Sequence, residues 1–150
     1  ARELALPAGH LDAPRIAGPS LLVLRATLGM PAELWWVAAD GSRSGALSDT
    51  VPSDLAHAER VLPRTLRVTG GLGATVWSHV WLPRGVTLER ADRARACIVF
   101  VHGAGYLQNV SDSLGEYPVN FLFHERLARM GYVVLDVDYR GSKGYGALFR

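Results

Sequence analysis

Apolar positions in the first third of the chain come in short runs cut by glycine and proline, a pattern that predicts strands. Leu21 to Leu28 is one candidate strand, interrupted by Gly29-Met30-Pro31, and Glu33 to Ala38 is the next. Asp40-Gly41, a strong turn dipeptide, closes the second. Two such strands suit an antiparallel meander, but two or three strands do not hold together alone in water. Residues 1–50 are therefore expected to need partner strands from outside the chain. Residues 51–63, marked by Pro52 and Pro63, read as a polar connector.

A hairpin is expected next, with Leu66–Thr69 and Ala74–Leu82 as arms around Gly70–Gly73. In its second arm Trp77, His79 and Trp81 share one face and Val76, Ser78 and Val80 the other. After a charged stretch, Ala96–Val101 is continuously apolar, as in a strand covered on both faces. Val119 to Met130 has helical spacing, with Val119, Leu122, Phe123, Leu127 and Met130 forming the expected buried stripe. Glu125, Arg126 and Arg129 fall off that stripe, and Gly131 sits where a C-cap belongs. Tyr132–Val137 is a further apolar strand. Strand, helix and strand predict a βαβ unit with a parallel, right-handed crossover.

Composition narrows the function classes. Apolar residues make up 49% and charged residues 20%, enough to bury a core. The net charge is only +2, and the densest basic run, Arg90 to Arg95, is interrupted by Asp92, so no nucleic-acid partner is expected. No stretch reaches the length of a membrane span. A lone cysteine, Cys97, leaves no internal disulfide or cysteine-based metal site, and its apolar surroundings suggest a small buried residue. No His/Asp/Glu cluster has metal-ligand spacing, and no cofactor or metal is expected.

The sharpest local feature is Val101-His102-Gly103-Ala104-Gly105-Tyr106, directly after an apolar strand. Small residues at a strand's C-terminal end let backbone N–H groups approach an anion. A His-Gly-Gly type turn of this kind supplies an oxyanion-hole donor in α/β-hydrolases, and a plain βα turn without chemistry is the other reading. A dinucleotide-binding turn would need a third glycine and an immediate helix, and neither is present. Ser142 tempts as a nucleophile, but Arg140 stands where Gly-x-Ser-x-Gly needs a glycine, so it reads as a loop residue. Ser42, Ser44, Ser111 and Ser113 fit no such elbow. His10 and His57 read as loop residues, His79 as a strand residue and His124 as a helix residue. His102 can orient the turn or donate a hydrogen bond, and no Ser-His-Asp set is expected to assemble. Asp136 and Asp138 at a strand end are expected to brace the following loop, through Arg140.

The segments Val99–Asn109 and Gly131–Gly146, above all Asp138-Tyr139-Arg140-Gly141-Ser142-Lys143-Gly144-Tyr145-Gly146, resemble the prolyl oligopeptidase superfamily of serine peptidases, in its dipeptidyl peptidase IV-like branch. Pro31–Val37 is similar to that family's last propeller blade. The resemblance implies an α/β-hydrolase fold, here only its first strands and helix, preceded by terminal β-propeller strands. It divides the chain into a propeller end at 1–50, a connector at 51–63 and the start of the catalytic domain at 64–150. It implies a peptide substrate, an acyl-enzyme mechanism and cleavage near the peptide's N-terminus. His102, Gly103 and Ala104 match the family's oxyanion turn. The branch's own pattern has a tyrosine at the position of His102, so here backbone N–H groups are left to serve the oxyanion. The family's Ser, Asp and His triad lies downstream of the Asp-Tyr-Arg-Gly-Ser loop, so the triad is expected outside this chain and the 150 residues alone are expected to be inactive. An esterase of the same fold, and a non-catalytic homologue acting in protein interaction, are the alternatives. A homo-oligomer and the cellular compartment are left open.

Overall fold

The computed structural model describes residues 6, 8–70, 73, 75–90, 96–103 and 106–149. The chain divides into two compact units, residues 1–58 with 112–114, and residues 59–111 with 115–150.

The first unit is an antiparallel meander of four strands in the order β1-β2-β3-β4: His10–Ala17, Ser20–Ala26, Glu33–Ala38 and Ser44–Ala46. The two expected strands are its middle pair, β2 and β3, and the chain supplies a neighbour on each side. β1 escapes pattern reading because Asp12 and Pro14 interrupt it; its register shifts between Asp12 and Arg15, and Ala13 takes a φ of 48°. His10 begins this strand and is not in a loop. β4 is three residues long, and Gly45 faces Trp36 so closely that a Cβ there would lie 3.0 Å from the indole nitrogen. Asp40 accepts hydrogen bonds from the Ser42 amide and hydroxyl, fixing the expected turn. Val23, Ala26 and Val37 are buried, and the Arg25 guanidinium lies 4.4 Å from the centre of the Trp35 ring. Glu33 accepts bonds from the Ser48 hydroxyl, and from the amide and hydroxyl of Thr50. These bonds, that of Ser48 first, hold its carboxyl below the ordinary range.

The second unit is a mixed sheet in the order β5-β6-β8-β7. β5 (Arg64–Thr69) and β6 (Thr75–Trp81) form the expected hairpin; β7 (Cys97–Val101) runs parallel to β8 (Val133–Asp138). β8 lies between β6 and β7, antiparallel to the former. Inside the expected connector, Ser53–Ala56 forms one helical turn, α1, and His57 Nδ1 lies 2.9 Å from the Ser53 carbonyl. Helix α2 (Pro118–Arg129) makes the crossover from β7 to β8. Pro118 opens it, and Gly131, at φ 100°, closes it while Tyr132 donates back to the Leu127 carbonyl.

The buried stripe of α2 differs from the expected one. Phe121, His124, Glu125 and Ala128 face inward, whereas Val119, Phe123 and Met130 are exposed by 78%, 54% and 63%. The inward stripe carries the same period but contains two polar residues, so apolarity alone selects the wrong face. Each polar residue has a local reason to be there. Glu125 accepts from Arg60 Nε at 2.8 Å, the Val61 amide at 2.9 Å and Arg129 at 3.0 Å. Burial pushes its carboxyl up, but the bonds from Arg60, Val61 and Arg129 outweigh that and hold it below the ordinary range. His124 packs on Trp81 and Phe100, with ring centres 5.0 and 4.9 Å away, and Phe121 meets Trp81 edge-on at 5.1 Å. Val80, Trp81 and Val134 complete this core.

β7 is covered on one face only. Val99 and Val101 are 56% and 60% exposed and Cys97 is exposed, against the expectation of a strand buried on both sides and a buried cysteine. Their neighbours on the opposite face of the strand, Ile98 and Phe100, are partly covered.

Candidate active site

The parallel pair β7 and β8 ends on one side in two loops, 102–117 and 139–146. Loops beyond the C-terminal ends of parallel strands are where α/β folds place their chemistry. The loops are cross-tied: the Tyr106 amide donates to the Gly141 carbonyl at 3.2 Å, and the Lys143 amide donates to the Leu107 carbonyl at 3.1 Å. Gly144, at φ 90°, fits against the Gln108 side chain; a Cβ there would lie 2.5 Å from its Oε1. Tyr106 takes a φ of 85°, a conformation that bulky residues adopt only when their surroundings enforce it.

Asp138 is the hub. It is fully buried, and its carboxylate accepts from the amides of Asn109 at 2.9 Å and Val110 at 3.1 Å, and from the Tyr145 hydroxyl at 2.7 Å. Asp138 thus braces the loop as expected, but through Asn109, Val110 and Tyr145. Arg140 forms no ion pair among the described residues. Burial, with the hydrogen bond to Asp138, pushes the Tyr145 phenol above its ordinary pKa. One layer deeper, Asp136 accepts from the Asn109 side-chain amide at 3.2 Å and lies 3.7 Å from His124 Nδ1. Burial first, then the neighbouring Asp138, raise the Asp136 pKa to about 6; burial lowers that of His124 to about 4. The imidazole is neutral at pH 7.

Ser142, His102 and Asp138 come together after all. His102 Nε2 lies 3.0 Å from Ser142 Oγ and 3.3 Å from Asp138 Oδ1, while Nδ1 lies 3.1 Å from the Gly103 carbonyl. A catalytic triad puts serine and carboxylate on opposite ring nitrogens. Here both sit on Nε2, and Ser142 is fully buried, beyond the reach of any substrate. The cluster orients the His102 ring; it is not a nucleophile. The ring is buried against Tyr139 at 4.7 Å between centres, and Tyr139 Oη lies 3.1 Å from the His102 carbonyl and 3.0 Å from that of Gly103. Gly103 is exposed. Ala104 lies outside the described residues. Tyr139, Asn109 and Tyr145 lie within the segments that carry the family resemblance, but sequence reasoning gave them no role, because their partners are backbone groups and carboxylates on the other loop or strand.

No family model and no curated protein matches the chain. Among solved structures, a puromycin-hydrolysing peptidase of Mycobacterium tuberculosis matches over 99% of this chain with 26% identity and a TM-score of 0.68. The dipeptidyl peptidase 4 of Porphyromonas gingivalis matches over 97% with a TM-score of 0.74, and at 17% identity this is a likeness of fold. The chain is similar to a segment of prolyl oligopeptidase-family and dipeptidyl peptidase IV-like proteins. It spans about a fifth of their length, 22% and 20% of the two chains. The similarity crosses both units, so it takes in the meander and the βαβ unit together. Among the described residues there is no group of three metal-ligating side chains, and no helix is long and apolar enough to cross a membrane.

Proposed function

We propose that this chain is the part of a serine peptidase in which a propeller end, residues 1–50, leads through a connector, 51–63, into the first strands of an α/β-hydrolase domain, 64–150. The observation that carries the reading is the place of the His102-Gly103 turn: it follows β7, third in chain order among the described strands of its sheet, and precedes helix α2. In α/β-hydrolases the oxyanion donor comes from the loop between the third strand and the first helix. The similarity to the puromycin-hydrolysing peptidase supports the substrate class, a small peptide or aminoacyl amide.

In this reading the nucleophilic serine, its histidine and its acid come from elsewhere in the protein. Attack on the scissile carbonyl gives a tetrahedral oxyanion, and the N–H groups of Gly103 and, by the resemblance, Ala104 receive it. A single donor of this kind is worth roughly 10²–10³ in rate. His102 acts from behind: buried and locked by Ser142 and Asp138, it serves the turn and takes no proton from substrate. The full-length protein should hydrolyse dipeptidyl arylamides faster than aryl esters and take a fluorophosphonate covalently at one serine outside residues 1–150. Ester hydrolysis without amide hydrolysis would instead indicate an esterase.

A further inference from the structure

An oxyanion donor works only if its N–H is fixed in direction before charge develops. Gly103 has no side chain to fix it, and among the described residues a Cβ there would meet nothing within 4 Å. Hydrogen bonds to the turn's carbonyls are what hold it there. The Tyr139 phenol reaches both carbonyls of the turn, His102 at 3.1 Å and Gly103 at 3.0 Å, and shares its one proton between them. In a planar trans peptide the C=O and the N–H point in opposite directions. With the His102 carbonyl drawn toward Tyr139, the Gly103 N–H points away from that ring, and it meets no acceptor among the described residues. The His102 imidazole stacks on the same phenol and approaches the Gly103 carbonyl from Nδ1, closing the clamp.

We infer that Tyr139 is a positioning residue whose hydroxyl aims the Gly103 N–H at the oxyanion. The inference rests on the peptidase reading and adds to it a residue that touches neither substrate nor triad. Tyr139 lies one residue past the end of β8, so the strand that holds His102 and the 109–110 amides through Asp138 also carries the hydroxyl that reaches the turn.

The test is Tyr139→Phe in the full-length protein, which keeps the ring stacked on His102 and removes only the hydroxyl. The expected result is a fall in kcat of about tenfold to a hundredfold, less than loss of a whole donor, with KM within about twofold. The affinity of a peptidyl boronate, whose adduct places an oxygen in the oxyanion position, falls by the same factor. The melting temperature falls by no more than a few degrees, and the pH limbs of kcat/KM stay in place. Placing 4-aminophenylalanine at position 139 restores a donor at the same distance and should recover most of the activity. A phenylalanine variant with kcat and boronate affinity within threefold of the parent overturns the inference, as does an aminophenylalanine variant no better than phenylalanine. If the parent protein neither cleaves dipeptidyl amides nor takes a fluorophosphonate, the peptidase reading itself falls.

Discussion

Asp138→Asn is the substitution whose consequence can be worked most fully from the structure. The carboxylate is fully buried and receives three donors, the Asn109 and Val110 amides and the Tyr145 hydroxyl, with His102 Nε2 at 3.3 Å. Asparagine has the same shape but only one acceptor oxygen. If its nitrogen takes the Oδ2 position, Tyr145 can turn its hydroxyl to accept, but the Val110 N–H is left buried without a partner. If the nitrogen takes the Oδ1 position, the Asn109 N–H suffers the same loss. One orphaned buried donor costs about 1–3 kcal/mol. The remaining bonds also lose their charge assistance, roughly half their strength. Relief of the buried charge offsets part of this. A net loss of about 2–4 kcal/mol is expected, confined to the loop that holds His102. Native-state amide exchange on the full-length protein measures it locally. Exchange at Asn109 and Val110 should accelerate by about 30-fold to several hundredfold, at tenfold per 1.4 kcal/mol, while the Val134 amide in the strand core changes little. Acceleration below threefold at both amides would refute the bracing role assigned to Asp138.

Four further outcomes follow from the same geometry. Arg60→Met removes one of the two guanidinium partners of the buried Glu125 and should destabilise the second unit by about 1–3 kcal/mol in denaturant titrations, since Arg129 and the Val61 amide still hold the carboxylate. Ser142→Ala should leave covalent labelling by fluorophosphonate intact; loss of labelling would restore Ser142 as a candidate nucleophile. The buried pair His124 and Asp136 should nearly cancel in acid. His124, lowered to about 4, contributes stability that is present above its unfolded value of 6.5 and lost as the pH falls through 4. Asp136, raised to about 6, contributes stability present below its unfolded value of 3.8 and lost as the pH rises through 6. Asp136→Asn should therefore unmask a loss of roughly 3 kcal/mol between pH 6.5 and 4, seen as a falling melting temperature; an unchanged profile would contradict it. Gly144→Ala, at φ 90° and against Gln108, should cost about 1–3 kcal/mol.

The parts of the fold that the sequence makes legible are those where one physical signal acts alone. β2, β3, the hairpin β5–β6, helix α2 and β8 follow from period and turn chemistry, and Gly131 marks the helix end because only a left-handed residue closes it there. What is not legible is where a polar residue does the work of an apolar one. α2 buries His124 and Glu125 because Trp81, Phe100 and Arg60 receive them, and those partners lie at least two dozen residues away in the sequence. β1 hides behind Asp12 and Pro14. At the site, Gly103 stands out as a small residue after a strand, but its orientation depends on Tyr139, and Asp138 finds its donors in backbone amides that no side-chain pattern announces. Ser142 and His102 meet through the crossing of two loops, and only the geometry around Nε2 tells such a cluster from a triad.

The proposed role of the His102-Gly103 turn is to serve an acyl-transfer oxyanion in a serine peptidase. The most direct measurement is to determine how the full-length protein binds a dipeptidyl boronate, by crystallography and by inhibition of dipeptidyl amide hydrolysis. A tetrahedral adduct is expected on a serine outside residues 1–150, with one boronate oxygen within about 3 Å of the Gly103 amide nitrogen. An adduct whose oxygens all turn away from Gly103, or an active protein that the boronate does not inhibit, would contradict it.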